Sequence, residues 1–271
     1  MFAPPDDNPP PGTVEHLDIP AESSPTRAHP IRVRSRPMAA GVRIAQHTHA
    51  WAQLACASHG VLRIAASGST WLVPPSRAIW LPPSVTHEVV IVEDAHLRTL
   101  YVDPSVVPAG LDTCRVVEVS PLLREVVLAL DDTAISRERE RLLGTLAIDE
   151  ITRSQPLPLS VPMPIDKRLL ALCEAVLADP AAADSLESWA EQAGASTRTI
   201  ARLFKRELGV SFSQWRQQVV LAHAIPLLSQ GRPLAQVAQT LGYHSQSAFS
   251  AMFRRAFGES PRAFFARDGE Q

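Results

Sequence analysis

Residues 237–261 read VAQTLGYHSQSAFSAMFRRAFGESP, and this stretch decides how the C-terminal part of the chain folds. Apolar residues recur at helical spacing before Gly242, which predicts a short helix and then a left-handed turn of the kind that glycine adopts readily. Ser245 is the predicted N-cap of a second helix, which Gly258 ends. The predicted inward residues of that helix are Phe249, Met252 and Phe253. The stretch therefore predicts two helices joined by a tight turn.

An earlier stretch, residues 186–209, repeats this pattern in the sequence LESWAEQAGASTRTIARLFKRELG. Gly194 marks its turn and lies 48 residues before the corresponding glycine, Ser196 is the predicted N-cap, and Gly209 ends the second helix. The predicted inward residues are Ile200, Leu203 and Phe204. One such pattern is typical of any helical hairpin, but two in tandem, each ending in a helix with basic residues, indicate a double helix-turn-helix.

The two stretches resemble the DNA-binding domain of the AraC/XylS family, and the resemblance extends over residues 166–265. It implies seven helices, with two recognition helices that enter successive major grooves about 34 Å apart. A helix from about 213 to 229 would connect the two readers. The resemblance implies a transcription regulator whose partners are double-stranded promoter DNA and RNA polymerase.

The outward positions of the two reader helices are the candidate DNA contacts. An arginine side chain can bind guanine through two hydrogen bonds, so Arg198 and Arg202 are the predicted base readers of the first helix. The second helix carries shorter, neutral residues, which predicts softer discrimination between bases. Lys205 and Arg254 are better placed for phosphates, which anchor a protein without specifying sequence. The complete predicted set is Thr197, Arg198, Arg202, Lys205, Gln246, Ser247, Ser250 and Arg254.

Charge is distributed unevenly along the 271 residues, although the net charge is only −2. Residues 185–267 carry ten Lys or Arg and four Glu, a net +6, and the remaining 188 residues carry −8. This asymmetry favours a basic nucleic-acid reader joined to an acidic module. A solvated helical face is the alternative interpretation of the same charges.

The rest of the sequence predicts an α+β multidomain protein. Residues 1–30 hold eight prolines and predict a disordered tail, and short apolar runs between turn residues predict a small β-barrel over 31–119. Residues 120–155 have helical periodicity, and homodimerisation through helices at 121–131 and 139–152 is predicted. Four prolines make 156–165 a predicted linker, and residues 166–271 form the predicted DNA-binding domain.

Two segments of the β-rich region resemble the two motifs of the cupin family, whose fold is a small barrel. The first contains His47, His49 and Gln53, with Gln53 where the family has Glu; the second contains His87, with Ser84 at a usual glycine. Three imidazoles are suitable ligands for one divalent transition metal, Zn²⁺, Ni²⁺ or Fe²⁺, with Gln53 as a weak fourth ligand. The alternative is an empty pocket or a site for an organic effector.

A metal-dependent cupin enzyme with an appended helical domain is the second functional hypothesis. It requires an acid or base near the histidines, and only Glu88 and Glu93 are close in sequence, so we expect no enzymatic activity.

The three cysteines lack disulfide or zinc-finger spacing, and no apolar run has the roughly 20 residues of a membrane span. The sequence thus predicts a cytoplasmic regulator that senses a small molecule or a metal.

Overall fold

The computed structural model describes residues 10, 12–73, 77–132, 134–154, 160–181, 186–192 and 194–269. They group into two compact units. Described residues up to 154, except 68–70, form the first unit, and residues 68–70 with 160–269 form the second. The first unit is rich in strands and the second is helical, so the predicted fold class is confirmed.

The first unit contains two sheets. Their strands are β1 (Val14–Glu15), β2 (Ile31–Met38), β3 (Arg43–His47), β4 (Ala52–Ala57), β5 (Leu62–Ala66), β6 (Ser69–Val73, whose first two residues are grouped with the second unit), β7 (Arg77–Leu81), β8 (His87–Ile91), β9 (Ala95–Val102) and β10 (Arg115–Glu118). One sheet has the order β1-β3-β8-β5-β6 within this unit, and the other has the order β10-β7-β4-β9-β2. The predicted small β-barrel is thus seen as two sheets of described strands that do not close into one barrel.

Two helices of the first unit follow the strands. They are α1 (Pro121–Leu130), capped by the Ser120 side chain, and α2 (Arg137–Arg153), capped by Ser136. They pack on the outer face of the second sheet, where one hydrophobic cluster joins Leu54 and Trp80 with Val126 and Ile151. The helices cover the outer face of this sheet, and the sheet that contains β3 and β8 covers its inner face. Every residue of β4 and β7 is therefore buried.

Side chains of the second sheet alternate between this helical cover and the space between the sheets. Leu54 and Leu100 belong to the cluster under the helices, whereas Gln53 and Tyr101 line the interior between the sheets. Gln53 and Tyr101 are directly paired across β4 and β9. The period of two residues in a strand therefore places polar groups inside the unit, beside the end of β3.

The predicted disordered tail at 1–30 is wrong for residues 12–30. Strand β1 pairs in parallel with β3, and a 3₁₀ helix spans Ala21–Ser23. The Glu15 carboxylate accepts from Arg36 at 2.8 Å, and Arg34 donates to the Asp18 carbonyl at 2.9 Å. These contacts hold the segment against the unit in spite of its prolines. Residues 1–9 and 11 lie outside the described part of the chain.

The second unit consists of a short strand, β11 (Ser160–Pro162), and seven described helices. The helices are α3 (Lys167–Ala178), α4 (Leu186–Gln192), α5 (Thr197–Leu208), α6 (Phe212–Ser229), α7 (Leu234–Thr240), α8 (Gln246–Phe257) and α9 (Pro261–Gly269). The pairs α4–α5 and α7–α8 are the two predicted helix-turn-helix motifs, and α6 connects them. Trp215 of α6 is fully buried, and its indole N–H donates to the Pro162 carbonyl at 2.8 Å. Residues 155–159, which include two of the predicted linker's four prolines, are not among the described residues.

The three cysteines differ in accessibility. Cys56 and Cys173 are buried, and burial raises the pKa of the Cys56 thiol to about 11. Cys114 is half-buried, with its Sγ 3.6 Å from the Ser67 hydroxyl oxygen.

In the described part of the chain, no helix combines the length and the apolar character that crossing a membrane requires.

Candidate functional site

The first reader helix, α5, is fixed at both ends and along one face. The Ser196 hydroxyl accepts from the Thr199 amide at 3.2 Å, and Gly209 ends the helix in the left-handed conformation with φ of 71°. A short polar side chain and a glycine are favoured at these two positions. Three buried residues anchor its inward face, namely Ile200, Leu203 and Phe204.

The outward face of α5 carries the predicted DNA contacts. Arg198 and Arg202 are exposed one turn apart, and Thr197 is half-buried beside them. Lys205 is also exposed, but its ammonium group donates to the Gly209 carbonyl at 2.9 Å. Lys205 therefore stabilises the C-terminal end of its own helix.

The second reader helix, α8, is fixed in the same way. The Ser245 hydroxyl accepts from the Ala248 amide at 3.1 Å, and Gly258 has φ of 78°. Its buried residues are Phe249, Met252 and Phe253. On its outward side Gln246, Ser247 and Arg254 are exposed and Ser250 is half-buried.

The two motifs match position by position except in their turns. Each cap, buried residue and end glycine of α5 has a counterpart in α8 that lies 49 residues later, as with Ser196 and Ser245. The turn glycines Gly194 and Gly242 are only 48 residues apart. The second turn is therefore one residue longer. Tyr243 occupies this longer turn, and its ring packs edge-on against Phe249 at 5.5 Å between centroids.

The predicted metal ligands come together in the first unit. His47 ends β3 and His87 begins β8, and the two residues are paired across these strands. His49 lies beyond the end of β3 and not on the same strand as His47. The three imidazoles each offer a nitrogen, and these nitrogens all lie within 4.8 Å of one another. The structure therefore assembles the histidine cluster, although a turn brings His49 into it.

Backbone contacts orient all three imidazoles. The Nδ1 atoms of His47, His49 and His87 lie 2.8, 2.8 and 2.9 Å from the carbonyl oxygens of Ala45, Trp51 and Val85. A carbonyl oxygen only accepts, so each Nδ1 carries the proton and each Nε2 keeps a lone pair. This is the arrangement of metal-binding histidines, whose second nitrogen donates to an outer group.

Burial keeps the imidazoles of His47 and His87 neutral, with their Nε2 lone pairs available. Desolvation lowers the pKa of His47, and it lowers the pKa of His87 to about 4. The Nε2 atoms of His47 and His87 are buried with no hydrogen-bond partner among the described residues. Unpaired buried acceptors are costly, and a bound cation would satisfy both.

Gln53 completes the cluster through His49. The Gln53 side-chain oxygen lies 2.9 Å from His49 Nε2. Two acceptors face each other in this arrangement, so the contact becomes favourable if the amide group turns to donate or if a cation lies between them. Three imidazole lone pairs and an amide oxygen therefore fit one divalent transition metal.

Two aromatic residues that the sequence did not single out surround the cluster. The Trp51 ring stacks on His49 at 5.2 Å and 9° between planes, and the Tyr101 ring meets His49 edge-on at 5.9 Å. Trp51 lies two residues after His49, a weak signal, while Tyr101 could be found only from the β4–β9 register. The gap between the sheets next to His47 and Tyr101 holds only about 20 Å³, enough for a water molecule.

Comparisons with known proteins identify the family of each domain. Residues 29–208 match the family described as the AraC-like ligand binding domain, and residues 189–267 match a helix-turn-helix domain family. The HTH-type transcriptional regulator NimR of Escherichia coli K12 is 34% identical over 224 residues, which cover 82% of this chain and 82% of NimR.

Two further proteins are similar over different extents. The arabinose operon regulatory protein of the same strain is 30% identical over 119 residues, which are 43% of this chain and 40% of that protein. A crystal structure of ToxT from Vibrio cholerae O395 has 13% identity and a TM-score of 0.39, over 89% of this chain and 99% of that one.

Proposed function

Because this chain belongs to the AraC family of transcriptional regulators, we propose that its strand-rich unit senses a metal or small-molecule effector and thereby changes its affinity for promoter DNA. The chain is a transcriptional regulator with AraC-type DNA-binding and ligand-binding domains. The observation that carries the sensing proposal is the cluster of three oriented imidazoles, two with unpaired buried Nε2 atoms.

If the effector site contains a metal ion, side chains of this chain would be its ligands. His47, His49 and His87 would hold one Zn²⁺, Ni²⁺ or Fe²⁺, with the Gln53 amide oxygen as a weaker neighbour. Such an ion supplies a positively charged coordination point for a donor atom of an effector. Trp51 and Tyr101 pack against the His49 ring and hold it in place beside the other two imidazoles.

The DNA form of the proposal assigns base reading to α5 and α8. Arg198 and Arg202 read guanine in one major groove, and Gln246 with Ser247 and Ser250 reads the next groove with softer discrimination. Lys205 and Arg254 contact phosphates. Support comes from the exposure of both arginines on a helix whose opposite face is buried.

A homodimer is part of the proposal. Exposed leucines lie on the two helices of the first unit, with 47% of Leu122 and 54% of Leu142 accessible to solvent. Pairing two copies through these helices would bury the leucines and join two DNA readers, which raises the affinity for paired sites.

NimR is a transcriptional regulator and the arabinose protein regulates an operon, and the site chemistry favours regulation over the enzyme hypothesis. Glu88, the acidic residue next to His87 in the chain, forms an ion pair with Arg43. The residues that line the gap beside His47 include no carboxylate among those the structure describes. A general acid or base of that type is therefore absent from the described lining.

The metal assignment is tested by elemental analysis of protein purified without a histidine tag and exposed to Zn²⁺, Ni²⁺ and Fe²⁺ in turn. We expect about one equivalent per chain in the wild type, loss of the metal in His47→Ala/His49→Ala, and retention in the control His59→Ala, whose histidine is exposed. A wild type that binds none of the three ions would overturn the metal assignment.

The coupling to DNA is tested separately by mapping the bound genomic DNA and titrating a recovered duplex. Affinity is compared for metal-loaded protein and for protein treated with a chelator. A change in affinity in the wild type that His47→Ala/His49→Ala lacks supports sensing through the cluster, because an effector acts only through differential affinity. Equal affinities in both states would contradict it.

A further inference from the structure

A second cavity of about 540 Å³ lies in the first unit, between α2 and the segment that leads into β2. Its lining does not include the histidines of the cluster or Gln53. Pro30, Ile31 and Val106 give it apolar walls, and Ile148 extends them along the helix. This volume lies in the range of small-molecule sites, roughly 300–1,000 Å³.

The helical wall of this cavity is one face of α2. Lining residues recur at helical spacing, and the complete set from this helix is Arg137, Glu140, Arg141, Gly144, Thr145 and Ile148. Gly144 brings the helix close to the strand below, because a Cβ built there would lie 2.8 Å from Ile31 Cδ1. The glycine thus shapes the floor of the cavity.

The charge of the lining is positive. Arg27, Arg137 and Arg141 line the cavity, and none of them forms an ion pair within the described part of the chain. Glu140 is the lining carboxylate, and it is buried with 8% accessible. Its oxygens lie 3.0 Å from Arg32 and 3.0 Å from His29, so its own charge is already matched. Three guanidinium groups therefore remain for a ligand.

We propose that this cavity binds an organic anion, a carboxylate with an aliphatic or aromatic body. The apolar walls bury the body, and the guanidinium groups bind the carboxylate, for which their planar donor geometry is suited. Arg137 lies in the first turn of α2, where the helix dipole also favours negative charge. Binding here is independent of the histidine cluster, and only its effect on DNA affinity depends on the proposed function.

The site is tested on the full chain with 8-anilinonaphthalene-1-sulfonate, a fluorescent apolar anion, and with octanoate as competitor. Octanamide is the neutral control for octanoate. We expect octanoate to displace the probe and octanamide to compete at least about tenfold more weakly, because hydrogen bonds to a charged group are the stronger ones. Equal competition by octanoate and octanamide would overturn the proposal.

Variants locate the site. Arg137→Gln/Arg141→Gln should weaken octanoate binding at least about tenfold, whereas Arg139→Gln, an exposed arginine of the same helix outside the lining, should leave it unchanged. Thr145→Trp, at an exposed lining position, should block the cavity by volume. Circular dichroism and thermal unfolding establish that each variant is folded. Equal weakening by Arg139→Gln, or wild-type binding by Thr145→Trp, contradicts the assignment.

Failure of this proposal and failure of the proposed function give different results. Octanoate should bind His47→Ala/His49→Ala as it binds the wild type, and loss of binding in that variant would overturn a separate site. DNA affinity with and without octanoate is a second measurement. Bound octanoate without any change in DNA affinity supports the anion site and counts only against its regulatory link.

Discussion

The two reader helices α5 and α8 share one scaffold and differ in what they present outward. Both have a serine N-cap, three buried apolar residues and a left-handed glycine at the end. The outward positions carry Arg198 and Arg202 in α5, but Ser247 and Ala251 at the equivalent positions of α8. Burial and capping are repeated because each helix must pack on its own core. The exposed face has no such constraint, so the two halves of the DNA site can be read by different chemistry.

The largest expected effect tests the shared scaffold. Phe204→Ala and Phe253→Ala should each destabilise the second unit by about 3–5 kcal/mol, because both rings are fully buried and truncation leaves a cavity. Urea unfolding followed by far-ultraviolet circular dichroism, which reports mainly the helical second unit, measures both. A cost below about 1 kcal/mol for only one of the two would show that the scaffolds are not equivalent.

The second prediction tests the outward difference. Arg202→Ala should weaken binding to cognate DNA by about 1–3 kcal/mol and relax specificity at one base pair, whereas Ser250→Ala should cost less. Fluorescence anisotropy with the cognate duplex and with single-base variants measures this. Arg206→Ala is a matched control, because Arg206 is exposed on the same helix and pairs with Glu207 at 3.0 Å. If Arg202→Ala lost as much affinity for random DNA, Arg202 would be a phosphate contact.

A third prediction concerns the serine N-caps of α5 and α8. Ser196→Ala and Ser245→Ala should each cost about 1 kcal/mol of stability, since each removes the side-chain acceptor of one amide at a helix start. The midpoint of urea unfolding reports both. Unequal losses would indicate that the longer turn before α8 changes how that helix is capped.

The smallest effect concerns Lys205. If this residue moves from the Gly209 carbonyl to a phosphate on binding, Lys205→Gln should lower the slope of log affinity against log salt by about 1 on any duplex. Arg254→Gln is the corresponding change in α8. An unchanged slope in Lys205→Gln would restrict this lysine to stabilising the end of α5.

Much of the helical unit could be predicted from its sequence, since caps, glycines and apolar spacing act within one or two turns. Ser196 and Gly209 are local signals of that kind. The fold of the strand-rich unit is harder to predict from its sequence. The prolines of residues 12–30 suggested disorder, but pairing of β1 with β3 and the Glu15–Arg36 ion pair order that segment. Such contacts join residues far apart in the chain, and periodicity does not show them.

The histidine cluster was predictable in part for the same reason. His47 and His49 are neighbours in sequence, and His87 belonged to a second motif, so their meeting could be expected. The Gln53–Tyr101 pair depends on strand register, and the unpaired Nε2 atoms depend on burial. The arginine-lined cavity has no local signal at all, because Arg27 and Arg141 meet only when α2 packs beside β2.

The unequal burial of the cysteines gives experimenters a ready attachment point. A thiol-reactive dye should label Cys114 well before Cys56 or Cys173, because thiolates that are buried in apolar surroundings form reluctantly and are inaccessible. Partial burial also raises the pKa of Cys114, so mildly alkaline buffer should speed its labelling. The natural chain could thus carry a single fluorophore on its strand-rich unit and report by energy transfer when labelled DNA arrives.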